Sequence, residues 1–494
     1  MVERAGEGKT YHTIQILARG AVWAYFRHVK VICRAPIPTD GPLLVAANHT
    51  NMVLDPAMLV ATFPHARPCH FWALARFFRM PLAGHILTAA GVLPVDTKTH
   101  SNAKLFEHTL ACLEKQGVVA LFPEGTSYTA PKHLPFKDGL SWATYEYLTQ
   151  QVNNSKTEGP RHIDIIPVGI TYTTKNKWRS DVIVEYGEPI RVTTDDLAAF
   201  QTDSRAAVKK LTAQITAEVE KGTVNSPDWD TAHAAAQARS IVFGADRAVR
   251  LEDYVKVAQS FTEIFHPDRT VDPDNPRTKI KTQLLIFSET LKRLRLTSQD
   301  IRMYENREIT LTRAVLRLIS TSMALAVQIP FFLPGILFNS PIYILGKLAN
   351  KYEKYTETVS QDKLLISVGL ALPMYSTLFY MMWKAMDFTL VGFTVPIFLI
   401  PLFVWYHMAF IDKRYDMAKQ VIASWRTFVA VAAGAMGVQA ANQRRELEEA
   451  VSLRRWCQRH VKQLLVDLAR QGDPHATYLV DYGKPLFNLT ASTS

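Results

Sequence analysis

The chain has 494 residues, 48% of them hydrophobic, which is too long for one compact domain and apolar enough for globular parts together with membrane segments. Lys and Arg outnumber Asp and Glu by 56 to 45, a formal charge of +11 that favours anionic partners. No aromatic-basic RNA motif, zinc-finger spacing or helix-turn-helix pattern accompanies that charge, so no nucleic acid partner is expected, and phosphate groups or lipid headgroups remain.

The cysteines Cys33, Cys69, Cys112 and Cys457 are scattered, form neither a CxxC pair nor a dense framework, and read as reduced thiols, the expectation for a catalytic part facing the cytosol. The opening MVERAGEGKT has no apolar core with a small-residue cleavage site. Membrane targeting is therefore expected to be internal.

Residues 1–34 read as an amphipathic N-terminal helix, with Ile14, Leu17, Val22, Trp23 and Phe26 set among Arg19, Arg27 and Lys30. Such a helix suits either a membrane interface or packing on the domain that follows. From 35 to 192 the apolar runs PLLVAA, GVVALF, IDIIPVGITY and DVIVEY alternate with helix-like stretches, which predicts an α/β domain with a mostly parallel sheet and flanking helices. Polar signatures fall at the ends of these runs, where loops beyond strand termini gather functional groups.

Residues 193–310 read as a helical extension, with TTDDLAAF and SPDWDTAHAAAQARSIVF each opening a capped helix and the Pro- and Asp-dense stretch 266–279 interrupting the helices. Residues 311–414 read as a membrane domain, since the apolar stretches 318–346, 364–383 and 388–410 are each long enough for a hydrocarbon core of roughly 30 Å. Pro330, Pro334 and Pro341 leave a bent re-entrant hairpin open for the first of these. Only KAMD separates the other two, which predicts a tight helical hairpin. Lys347, Lys351, Lys354 and Lys363 before it, and Lys413 and Arg414 after it, place both outer flanks in the cytosol by the positive-inside tendency. The rest, 415–494, reads as a helical C-terminal tail.

The segment AANHTNMVLDP carries the clearest chemistry. His49 follows an apolar strand-like run, and an imidazole there can take a hydroxyl proton while the Asp55 carboxylate fixes its tautomer and stabilises the imidazolium. The alternative for Asp55 is a cap on a helix starting at Pro56. No Ser or Cys nucleophile is required if a substrate hydroxyl itself attacks an acyl thioester.

Downstream come GVLPVD at 91–96, LFPEGTS at 121–127, FKDG at 136–139 and IIPVGITY at 165–172. In this order the blocks resemble the glycerolipid acyltransferase family, specifically over residues 41–192. The resemblance implies an acyltransferase domain in which His49 is the general base and Asp55 its orienting partner, with Glu124, Gly125 and Thr126 in the acceptor site and Pro167 in the late apolar block. Ser127 beside Thr126 can donate to phosphate oxygens. Five residues separate His49 from Asp55 where the family usually has four; this form, and a segment similar to SPDWDTAHAAAQARSIVF, resemble the fungal glycerol-3-phosphate and dihydroxyacetone-phosphate acyltransferases. The arginines common after the second block and within the Pro-Glu-Gly block are absent, which leaves Lys98, Lys132 and Lys137 as candidate phosphate partners, as point charges without the arginine fork.

The resemblance thus implies acyl-CoA as co-substrate, no cofactor and no metal, glycerol 3-phosphate or dihydroxyacetone phosphate as acceptor, and an integral protein of the endoplasmic reticulum bilayer with its catalytic domain in the cytosol. The rivals are a lysophospholipid acyltransferase on the same core, and a lipid-binding membrane scaffold that keeps the fold without turnover.

Overall fold

The computed structural model describes residues 9–95, 102–153, 162–244, 248–269, 272, 274–302, 310–433 and 438–487. The chain divides into two compact units. The first comprises residues 1–224 together with 348–365, and the second 225–347 with 366–494.

Among the described residues the first unit is built on eight strands, β1 His28–Cys33, β2 Leu43–Ala47, β3 Cys69–Leu74, β4 Leu93–Val95, β5 Val118–Leu121, β6 His162–Tyr172, β7 Asp181–Tyr186 and β8 Ile190–Thr193. They lie in the order β1-β7-β6-β2-β5-β3-β4, with β8 also against β6. The pairings β6-β2, β2-β5, β5-β3, β3-β4 and β1-β7 are parallel; β7 and β8 run antiparallel to β6. The mostly parallel sheet expected from the sequence is present. It starts earlier than residue 35, because 28–33 are a strand hydrogen-bonded to β7 and not part of the preceding helix.

Helices α1 Lys9–Tyr25, α2 Leu54–Thr62, α3 Pro81–Ala89, α4 Asn102–Glu114, α5 Gly139–Asn153, α6 Leu197–Thr202 and α7 Ser204–Lys221 complete this unit. The strand LLVAA is buried at every position, as a central parallel strand covered on both faces requires. Its side chains alternate between two cores. Leu43, Val45 and Ala47 join Val22, Tyr25, Leu54, Met58 and Leu59 from α1 and α2. Leu44 and Ala46 join Leu113, Leu148, Leu211 and Ile215 from α4, α5 and α7. The period of two along one strand thus builds both layers of an α/β/α sandwich. On α1, Val22 and Tyr25 pack into the domain while Ile16, Leu17 and Trp23 remain exposed.

Pro167 stands inside β6, where a missing N–H would ordinarily break a ladder. Along that edge β6 pairs with β8 through residue 165 and with β7 from residue 168. The Pro167 carbonyl, which points to this edge, accepts from Gly187 N at 2.8 Å. The proline therefore occupies the junction between two partner strands, and its carbonyl keeps the ladder bond from Gly187.

The second unit is helical: α8 Trp229–Phe243, α9 Tyr254–Ile264, α10 Pro276–Leu294, α11 Ser298–Arg302, α12 Leu311–Ala326, α13 Ile329–Tyr352, α14 Thr356–Ala385, α15 Leu390–Ala433, α16 Val438–Arg470 and α17 Pro474–Tyr482, except that 348–365 belong to the first unit. The predicted caps are seen. The Asp228 carboxylate accepts from Thr231 N at 2.6 Å to open α8, and Thr193 with Asp196 form a capping box before α6. Asn275 caps α10 with Pro276 in its first turn, so the helices restart at 276, before the Pro- and Asp-rich stretch ends.

Among the described residues three helices are long and apolar enough to cross a membrane, Ile329–Ala349, Thr356–Ala385 and Leu390–Ala432. The first apolar stretch is broken at residues 327–328 between α12 and α13, while Pro334 and Pro341 lie inside α13. A tight turn with Asp387 and Phe388 at positive φ joins α14 to α15. Beyond it α15 runs unbroken through Lys413 and Arg414 for 44 residues.

Candidate active site

The β2 strand ends at Ala47 and the chain turns through Asn48–Val53 into α2. Asn48 secures the exit: its Nδ2 donates to the Ile170 carbonyl at 3.0 Å, and its Oδ1 accepts from Ile170 N at 2.7 Å. Met52 takes a left-handed φ of 38°, so the loop doubles back and brings Asp55 beneath His49.

Asp55 is wholly buried and lies in the first turn of α2, where the helix dipole favours a carboxylate. It does not cap that helix. Its Oδ2 reaches back into the loop and accepts from His49 Nδ1 at 2.9 Å, Thr50 N at 2.8 Å and Asn51 N at 2.7 Å. Its Oδ1 accepts from the Tyr172 hydroxyl at 2.5 Å. Burial, reinforced by the Asp55 charge, pushes the Tyr172 phenol well above its ordinary range, so it stays protonated and donates.

A carboxylate can only accept, so the proton of the neutral imidazole resides on Nδ1 and the Nε2 lone pair faces outward. The His49 side chain is 17% exposed, and its Nε2 has no hydrogen-bond partner among the described residues. The ring stacks on Phe122 at 4.1 Å between centroids and 19° between planes, which fixes its tilt. A hydroxyl reaching Nε2 would meet an acceptor already oriented for it.

The turn after β5 supplies the second half. Glu124 is buried, its Oε1 accepting from His49 N at 2.6 Å and its Oε2 from Leu134 N at 2.8 Å. Burial raises its carboxyl above the ordinary value, an effect opposed by those two amides and by His133 and His49. Gly125 follows at φ 75°, exposed, with the Lys137 side chain lying over it. Thr126 is exposed, and Ser127 is buried with its Oγ accepting from Met52 N at 3.1 Å.

His49, Glu124, Gly125, Thr126, Ser127 and Lys137 thus lie on the two interlocked loops after β2 and β5, with Asp55 reaching them from the first turn of α2. Pro167 is elsewhere, buried inside β6 and packed against Gly187, and Lys98 lies outside the described residues. Lys132 is engaged by Glu220 of α7 at 2.9 Å, as is His133 Nε2 at the same distance. Against burial, these two partners hold the Glu220 carboxyl below its ordinary value.

Sequence reasoning missed Tyr172, Phe122 and Asn48. Tyr172 closes the same IIPVGITY run that holds Pro167. Because β6 and β2 are parallel, with Ala47 opposite Val168, their C-terminal ends share one edge of the sheet. A hydroxyl-bearing ring at the end of that run was the available signal.

Residues 28–171 match the family model described as Acyltransferase. Glycerol-3-phosphate O-acyltransferase 2 of Saccharomyces cerevisiae is 25% identical over 295 residues, covering 56% of this chain and 37% of that protein. Glycerol-3-phosphate O-acyltransferase 1 of the same yeast is 21% identical over 298 residues, covering 57% and 36%. An uncharacterized acyltransferase of Schizosaccharomyces pombe is 23% identical over 339 residues, covering 63% and 47%. The match spans less than half the length of each of these relatives. The crystal structure of the 1-acyl-sn-glycerophosphate acyltransferase PlsC from Thermotoga maritima aligns with a TM-score of 0.30 at 16% identity, over 42% of this chain and 79% of that one.

Proposed function

We propose that the chain, whose residues 28–171 match the family model described as Acyltransferase, moves a fatty acyl group from acyl-CoA to a hydroxyl of glycerol 3-phosphate or dihydroxyacetone phosphate. His49 Nε2 takes the proton of the acceptor hydroxyl as its oxygen attacks the thioester carbonyl. The tetrahedral intermediate then collapses, the C–S bond breaks, and the imidazolium returns the proton to the departing CoA sulfur. Asp55 holds the tautomer and balances the transient imidazolium charge. No metal is required for this step.

The observation that carries the reading is the His49 imidazole, tied to Asp55 through Nδ1 at 2.9 Å and open at Nε2. The choice of acceptor draws support from the yeast relatives, named as glycerol-3-phosphate O-acyltransferases. Three long apolar helices support a membrane-associated protein, and we place it, by the same resemblance, in the endoplasmic reticulum with its catalytic domain in the cytosol.

The test is CoA release by the purified full chain with palmitoyl-CoA, comparing glycerol 3-phosphate, dihydroxyacetone phosphate and lysophosphatidate, beside His49→Ala. His49-dependent turnover with a non-acylated phosphate acceptor supports the proposal. Turnover with lysophosphatidate alone transfers the assignment to a lysophospholipid acyltransferase. A folded protein that binds lipid without releasing CoA is a scaffold.

A further inference from the structure

The strand that brings Tyr172 to Asp55 continues into the β6-β7 loop, and three residues later places Lys175 at the same edge of the sheet. We propose that Lys175 anchors the phosphate group of the acyl acceptor, the role left open by the absent arginines; this rests on the acyl-transfer reading above.

The side chain is held, yet its charge is not answered. Lys175 Nζ donates to Thr129 Oγ1 at 2.6 Å, and that hydroxyl donates to Glu357 Oε2 at 3.1 Å. Among the described residues Lys175 forms no ion pair and no other side-chain hydrogen bond, so an ammonium with three donors uses one, on a neutral oxygen. Lys175 is partly buried, and burial lowers its pKa, while Asp55, Glu357 and Glu124 act on it from a distance in the opposite sense. A partly buried cation with two idle donors is matched by an anionic ligand with several acceptor oxygens.

The loop is also held by hydrogen bonds on both sides. Thr173 N donates to the Asp181 carbonyl at 3.0 Å and closes the hairpin. From the start of α14, Ser360 Oγ donates to the Lys175 carbonyl at 3.0 Å and Lys363 Nζ to the Asn176 carbonyl at 2.7 Å. By contrast, Lys132 is neutralised by Glu220 and Lys137 is exposed over Gly125.

Both substrates carry phosphate. In a glycerol phosphate the phosphate is only a few bonds from the reacting hydroxyl, whereas in acyl-CoA the whole pantetheine arm separates the phosphates from the thioester. Lys175 follows Tyr172 by three residues, and the Tyr172 hydroxyl donates to Asp55, the partner of His49; that placement favours the acceptor.

The experiment compares wild type, Lys175→Met and Lys175→Arg as full chains in detergent, measuring kcat and KM for glycerol 3-phosphate and palmitoyl-CoA, with glycerol 3-phosphate binding by calorimetry. The expected result for Lys175→Met is an acceptor KM raised about tenfold to a hundredfold, an unchanged palmitoyl-CoA KM, and partial recovery in Lys175→Arg. An unchanged acceptor KM overturns the proposal, and so does a rise confined to palmitoyl-CoA. If wild type transfers to no acceptor, the acyl-transfer reading fails separately: glycerol 3-phosphate binding that Lys175→Met abolishes still supports the anion site, and binding that is equal in both, or absent from both, overturns it.

Discussion

The amide nitrogen of His49 lies 2.6 Å from Oε1 of Glu124, so the loop that carries the base and the Pro-Glu-Gly turn are one hydrogen-bonded body. Glu124→Gln keeps the volume but turns one acceptor into an NH2 group facing a backbone N–H. One buried amide then goes unpaired, at a cost of about 1–3 kcal/mol. The expected outcome is a lower melting temperature by differential scanning fluorimetry together with a reduced kcat.

Asp55 accepts four hydrogen bonds on two oxygens, and an asparagine cannot reproduce that pattern. Asp55→Asn and His49→Ala are each expected to lower kcat by about a hundredfold to ten-thousandfold. CoA release under saturating substrates measures this, and near-native rates in either folded variant would remove the dyad.

Tyr172→Phe deletes a single donor to the buried carboxylate, a bond to a charged group worth about 2 kcal/mol. Stability and kcat should both fall, with both KM values retained, because the hydroxyl touches Asp55 and not the substrates. A selective rise in one KM would instead put the phenol in contact with that substrate.

Gly125 is left-handed at φ 75°, and a Cβ there would collide with the Lys137 side chain. Gly125→Ala should cost about 1–2 kcal/mol through the backbone alone. Adding Lys137→Ala is expected to restore only the part due to the collision, which chemical denaturation of the single and double variants would separate.

Burial holds Lys175 below the ordinary lysine value of 10.5. The unfolded chain therefore binds this proton more tightly than the folded one, and the associated stability increases as pH rises from the lowered value towards 10.5. Melting temperatures across that alkaline window should show the gain in wild type and lack it in Lys175→Met. At neutral pH Lys175→Met should melt higher than wild type, since it removes a partly buried charge that forms no ion pair among the described residues. Lower stability at every pH would make the lysine a structural strut.

Much of this was legible in the sequence. The runs PLLVAA, GVVALF, IDIIPVGITY and DVIVEY became β2, β5, β6 and β7 because strands buried on both faces are written as continuous apolar segments. β1 was hidden because HVKVIC is a half-exposed edge strand whose basic residues read as the flank of a helix. β4 and β8, of three and four residues, were too short to show a period. His49 and Asp55 stood out through local spacing, whereas Tyr172 and Lys175 approach them from over a hundred residues away. Only the register of β6 against β2 brings them in, and a pairing register is not written in either strand alone.

The 44 residues of α15 rise about 1.5 Å each, which makes a rod of roughly 66 Å, about twice the depth of a hydrocarbon layer of some 30 Å. However it is inserted near the bilayer normal, more than half of its turns must run through headgroups, water or protein. From Leu402 to Ala433 the rod carries no proline, so one residue inserted midway through that stretch would swing everything beyond it by about 100°. Such a helix transmits rotation as well as position across its length.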